Sequence, residues 1–177
     1  MSYNRLFIFI EGDDDERFFK NIIVPQLHDK YDSFGFIKYQ AERSHGKEYI
    51  IKYLDSIYGM GAHYFFVADI NSSPCVPDKK QKINQVYKDK LVNDQIVVVI
   101  KEIEGWYYAG VEDSKCDELN IRKLSSTDEL TKEDFGSNLP NNYTHLQFMI
   151  EILKYYSLEC ATNKNKSFKY FLDKHVI

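Results

Sequence analysis

The chemistry this chain could do rests on carboxylates at the ends of apolar runs. Glu11 follows Arg5–Ile10 (RLFIFI) directly, with Gly12 after it and Asp15 four residues on. Asp69 closes the run His63–Ala68 (HYFFVA), and Asn71 stands two residues later. Lys101, Glu102 and Glu104 come straight after Gln95–Ile100 (QIVVVI). If the runs are parallel strands, these side chains gather outside the strands' carboxyl ends, where α/β sheets bind ligands. Acids brought together there repel one another unless they share a proton or a cation. Hard carboxylate oxygens suit Mg²⁺ or Mn²⁺, which keep waters and bridge to phosphate. One such metal can activate a water while a second stabilises a leaving oxygen. A carboxylate directly after an apolar strand is poorly placed for solvation, and Gly12 allows close approach of a ligand. Glu11 and Asp69 are therefore the first site candidates. Asp13, Asp14 and Glu16 have a second reading, as complements to the unpaired N–H groups of a helix start. Glu104 reads as a metal ligand, as the partner of a lysine or as a helix cap. Lys101 could stabilise developing phosphoryl charge, or neutralise Glu102 or Glu104.

The elements that must position these residues follow from hydrophobic periodicity. Strands are expected at Arg5–Ile10, Phe34–Tyr39, His63–Ala68 and Gln95–Ile100. Between them lie a helix opened by Asp13–Glu16 and kinked or stopped at Pro25, an amphipathic helix over Gly46–Tyr58, and a helix from Pro77 to about Asn93. Alternation of strand and helix predicts an α/β fold. Its expected form is a Rossmann-like, mostly parallel sheet of about four strands flanked by helices. Strand signals stop after Glu102. Ile103–Val111, the Asp128–Asp134 region, Tyr143–Tyr156 and Ser167–His175 read as helices. The expected organisation is an α/β core over residues 1–111 and a helical C-terminal extension over 112–177, packed on the core as a cap.

Composition narrows the function classes. The 177 residues are 44% hydrophobic and 28% charged, enough for a true core and against wholesale disorder. Lys and Arg total 23 against 27 Asp and Glu, a net charge of −4, which excludes a uniformly basic nucleic-acid coat but not a local basic patch. The three cysteines, Cys75, Cys116 and Cys160, are far apart and odd in number, so reduced thiols in a cytoplasmic protein are expected rather than a disulfide framework. Leu6–Ile10 is too short for a signal-peptide core or a membrane span.

The pattern F-I-F-I-E-G-D-D-D-E-R-F-F at Phe7–Phe19 resembles the first motif of Toprim domains: a strand, Glu-Gly, and an acid four residues after the Glu, here Asp15. The second Toprim motif, Asp-x-Asp after a later strand, is represented by Asp69-Ile70-Asn71. Val97–Gly110 (VVVIKEIEGWYYAG) and Asn165–Phe171 (NKSFKYF) are similar to stretches of small stand-alone Toprim-like proteins, relatives of the Toprim part of the overcoming-lysogenisation-defect (OLD) nucleases. The likeness follows the chain in order over about the first hundred residues and is loose beyond. It implies a Toprim fold, Mg²⁺- or Mn²⁺-dependent phosphodiester chemistry on DNA or RNA, a role in genome defence and a partner such as an ATPase. Glu11 would be a metal ligand or general acid–base group, with Asp15 and Asp69 holding metal. Asn71 departs from the family pattern: an amide oxygen can bind Mg²⁺ but brings no charge. A one-metal enzyme, a slow enzyme and a non-catalytic module that binds nucleic acid or protein all stay open.

Lys79, Lys80, Lys82, Lys88 and Lys90 form one basic cluster, and Lys164, Lys166, Lys169 and Lys174 another. Each could meet phosphates or be a solvated helix face. Trp106, Tyr107 and Tyr108 could stack on bases, but consecutive aromatics cannot share one surface, so core packing is favoured. Among the five histidines, none has metal-binding spacing, and His45 alone lies near an expected strand end. A phospho-receiver reading, with Asp69 as phosphoacceptor and Lys101 beside it, fits poorly because Glu-Gly stands where an acidic pair is needed.

Overall fold

The computed structural model describes residues 3–39 and 46–177; His45 lies outside them. The chain forms two compact units, residues 1–98 and 99–177. The first holds the sheet, in strand order β2-β1-β3-β4. Its strands are β1 (Arg5–Ile10), β2 (Ser33–Lys38), β3 (His63–Asp69) and β4 (Ile96–Val99). All four run parallel and are flanked by helices, as expected of an α/β, Rossmann-like fold. β1 pairs with β2 from Arg5↔Ser33 to Ile10↔Lys38, and with β3 from Leu6↔His63 to Phe9↔Phe66.

One sheet face contributes Phe9, Ile37, Phe66 and Val98 to a core completed by Ile50, Leu54 and Ile57 of α3 (Lys47–Gly59) and Ile83 of α4 (Val76–Val86). Leu6, Ile8, Ile10, Phe65, Val67 and Val97, which alternate with these, are buried as well. Burial on both faces is why the strands are nearly unbroken apolar runs.

Two helices depart from the sequence expectation. Pro25 does not end the first one. α1 (Asp13–Phe18) passes through a π-helical turn (Phe19–Ile23), closed by Val24 N–H on the Phe19 carbonyl, into α2 (Val24–Leu27), with Pro25 in its first turn. The Pro ring fixes φ at a helical value, and its missing N–H leaves a carbonyl of the preceding turn without that donor. The helix expected to reach Asn93 stops at Val86. Lys88 and Asp89 are both left-handed (φ 55°), and Asn84 takes over the stop. Its carbonyl accepts from Asp89 N–H (2.9 Å) and its side chain from Leu91 N–H (3.0 Å).

The second unit is helical: α5 (Ile103–Ala109), α6 (Asp113–Leu119), α7 (Lys132–Ser137), α8 (His145–Lys154), α9 (Leu158–Lys164) and α10 (Lys166–His175). α5 is buried along its whole length and contacts α7, α8 and α9, so it belongs with this unit. Trp106, Tyr107 and Tyr108 are almost wholly buried, which makes them core and not a stacking surface. Side-chain caps define four of the helix starts: Thr131, Thr144, Ser157 and Asn165 each accept a first-turn N–H. Asn165 does more, because it is buried. Its amide donates to Thr127 Oγ1 (3.0 Å), and its oxygen accepts from Ser167 Oγ (2.8 Å) and Phe168 N–H (2.9 Å). Thr127 passes its hydroxyl hydrogen to the Gly105 carbonyl (2.8 Å), and Ser167 Oγ accepts from Trp106 Nε1 (2.8 Å). Among the described residues no helix is long and apolar enough to cross a membrane, and the three cysteines are thiols.

Candidate functional site

The parallel register brings the ends of β1 and β3 to one edge. Phe9 pairs with Phe66, so Glu11 and Asp69 leave the sheet within one residue of the same level. Glu11 is half-buried just beyond β1, and Asp69 ends β3. Asp15, at the third position of α1, is only 7% exposed. Its carboxylate folds back to accept from Gly12 N–H at 3.0 Å, which ties the residue after Glu11 to the helix.

Tyr39 ties together the strand ends that carry two of these acids. It follows β2, and its N–H donates to the Ile10 carbonyl at 3.0 Å. Its hydroxyl donates across to the Val67 carbonyl in β3 (3.0 Å), and its ring stacks on Phe66 with centroids 4.7 Å apart. Burial pushes the phenol pKa far above its ordinary value, and the charges of Glu11, Asp15 and Asp69, then Tyr87, push it the same way.

The rest of the acidic run is accounted for by basic neighbours. Lys38 ion-pairs with both Asp13 and Glu16, Arg17 with Asp14, and Lys20 with Glu16. The Lys38 hydrogen bond holds the Asp13 carboxyl below its usual range, and hydrogen bonds from Lys20 and Lys38 do the same to Glu16. Asn71 is exposed in a left-handed turn (φ 51°), and its amide donates to the Asp69 carbonyl at 3.3 Å. Asn tolerates that conformation better than most residues.

The remaining candidates lie in the second unit. Glu104 is 3% exposed in the first turn of α5, with His145 Nε2 at 3.6 Å and Lys132 Nζ at 3.8 Å from its Oε1. The lysine partner open to it in the sequence is Lys132, 28 residues on. Lys101, itself left-handed (φ 61°), pairs with Glu129 at 2.9 Å and not with Glu102 or Glu104. Glu102 accepts from the Lys132 backbone N–H. The basic clusters are threaded with internal pairs: Lys82 with Asp78, Lys88 with Glu48, Lys90 with Asp55, Lys164 with Asp113, and Lys169 with Asp173.

Sequence reasoning missed Tyr39 and Lys38. Both sit at the end of an expected strand, on the edge already marked by Glu11, so position along β2 was the available signal. No family model, no curated protein and no solved structure matches the chain. Glu11, Asp15 and Asp69 offer hard carboxylate oxygens, the type that suits Mg²⁺ or Mn²⁺, but among the described residues their ligand atoms do not gather into a ready three-ligand group.

Proposed function

We propose that the protein is a Mg²⁺- or Mn²⁺-dependent phosphodiester-cleaving enzyme of Toprim type that acts on nucleic acid. The observation that carries this reading is that Glu11 and Asp69 leave parallel strands within one residue of the same level, with the buried Asp15 tied by its carboxylate to Gly12 beside them. Asp15 and Asp69 would hold the metal, with Glu11 either joining them or working beside them. Bound there, the metal would supply charge stabilisation for the phosphoryl oxygens and acidify a water. Glu11 is the group suited to proton transfer: its carboxylate would accept the proton of the attacking water. Gly12 keeps the turn open beside it, with no atom within 4 Å of where a Cβ would stand. Incubation with single- and double-stranded DNA and RNA, with Mg²⁺ or Mn²⁺, tests the proposal. Cleavage is expected, and Glu11→Gln and Asp69→Ala should each abolish it. Cleavage that survives both substitutions would overturn the assignment.

A second reading, a non-catalytic module that binds nucleic acid or a partner protein, draws on Asn71. Where the family pattern has a second acid, this chain has an exposed amide engaged with its own turn. On that reading calorimetry finds no Mg²⁺ binding. Tight binding abolished by Asp69→Ala would dismiss it.

A further inference from the structure

We propose that Tyr39 is the positioning residue of the acidic edge, setting the separation of Glu11 and Asp69 and with it the affinity for a divalent cation. The inference rests on the metal-dependent reading above and assigns a role to a residue outside the carboxylate set. Tyr39 reaches both strands that carry the key acids. Its backbone N–H holds the Ile10 carbonyl, one residue before Glu11, and its hydroxyl holds the Val67 carbonyl, two residues before Asp69. The side chain therefore crosses the end of β1 and fastens β3 to it. Stacking on Phe66 fixes the ring, so the hydroxyl cannot swing away without breaking packing in the core.

The bond matters because of where it lies. β1 and β3 are in register as far as Phe9↔Phe66. Beyond it, the Tyr39 hydroxyl is a cross-link at the level of the acids. Like charges at neighbouring strand ends tend to spread, and a brace between the strands resists that. Outer-shell groups that orient metal ligands typically change affinity by about 10- to 100-fold when removed. Loss of one brace with the ring retained belongs at the lower end, about 10-fold.

The test is calorimetric titration of Mn²⁺ into wild type, Tyr39→Phe and Tyr64→Phe. Tyr64 is a buried tyrosine of β3 whose hydroxyl accepts from Val92 N–H (2.9 Å) and meets Tyr58 (3.1 Å). Its substitution removes hydrogen bonds from the same unit without touching the acidic edge. Expected is a Kd raised about 10-fold in Tyr39→Phe and unchanged in Tyr64→Phe, whatever each does to the melting temperature. A Tyr39→Phe Kd equal to wild type, or an equal rise in both variants, overturns the positioning role and leaves the metal reading standing. Absence of Mn²⁺ binding by wild type overturns both. Should Tyr39→Phe fail to fold, paramagnetic broadening in the wild-type protein decides. Mn²⁺ must broaden the Tyr39 ring resonances at lower concentration than those of Tyr64, and equal broadening overturns the proposal.

Discussion

Replacing Asn165 should cost the second unit about 3 kcal/mol, more than its single side chain suggests. Asn165→Ala removes the cap of α10, worth about 1 kcal/mol. It also strips the acceptor from the Ser167 hydroxyl and the donor from Thr127, in a place buried from water. Buried groups left without partners cost about 1–3 kcal/mol in all. With a urea slope of about 2 kcal/mol per molar, the unfolding midpoint should fall by about 1.5 M. Trp106 is the single tryptophan and bonds to Ser167, so its fluorescence follows this region directly. Asn165→Asp separates the contributions. The carboxylate still accepts from Phe168 N–H, but sets an oxygen where the amide had donated to Thr127 Oγ1. Burial raises the folded pKa of the new acid above its unfolded value. The charge penalty is therefore full above the folded pKa and absent below the unfolded one. Asn165→Asp should lie closer to wild type in acid than at neutral pH, while Asn165→Ala keeps a constant deficit. A midpoint shift of less than about 0.3 M for Asn165→Ala would refute the reasoning.

Three further substitutions probe features at the edge and in the second unit. Lys38→Met should let the Asp13 and Glu16 carboxyls titrate nearer their ordinary values, as read by carboxyl NMR shifts against pH. Both are lowered in the folded chain, so their contribution is present above the unfolded pKa of about 4 and is lost as pH falls through the folded values. The variant should lose most of the Asp13 part of that acid-dependent loss and keep the part of Glu16 that Lys20 holds. Gly110→Ala would put a Cβ 2.3 Å from the Tyr156 ring, whose hydroxyl donates to the Trp106 carbonyl (2.8 Å). A thermal melt should show a loss of about 1–3 kcal/mol. Gly136→Ala, in α7 with open space around it, should be neutral or stabilising by up to about 1 kcal/mol.

What the sequence disclosed depended on how local the signal was. β1 is read to its exact residues because an unbroken apolar run bounded by Glu11-Gly12 leaves no other choice. The other strands shift by a residue at their ends. α6 and α9 were not expected, since each buries a single side chain, Cys116 and Ala161 respectively, and so carries no apolar stripe. The Asp128–Asp134 region was read as helix. The helix in fact begins at Lys132, because Thr131 caps it while Thr127 and Asp128 bond to the α9–α10 junction. Glu11, Asp15 and Asp69 could be singled out because strand ends and acid type are local facts. Tyr39 could not, since its meaning depends on Val67, 28 residues away. The lysine partner of Glu104 is hidden for the same reason.

The π-helical turn between α1 and α2 has a bearing on how this chain could change length. Such a turn is an α-helix carrying one surplus residue. Deleting one residue within Phe19–Ile23 would restore a regular helix that buries the same kinds of side chain. The π turn takes up its surplus residue as a bulge, so the turns on either side keep nearly the same phase when one residue is lost there. A deletion within α1 has no bulge to absorb it: each residue of an α-helix advances the phase by roughly 100°, and the Asp15 turn would swing away from the sheet edge. The chain can therefore change length at Phe19–Ile23 and keep the aim of its acid, but not one turn earlier.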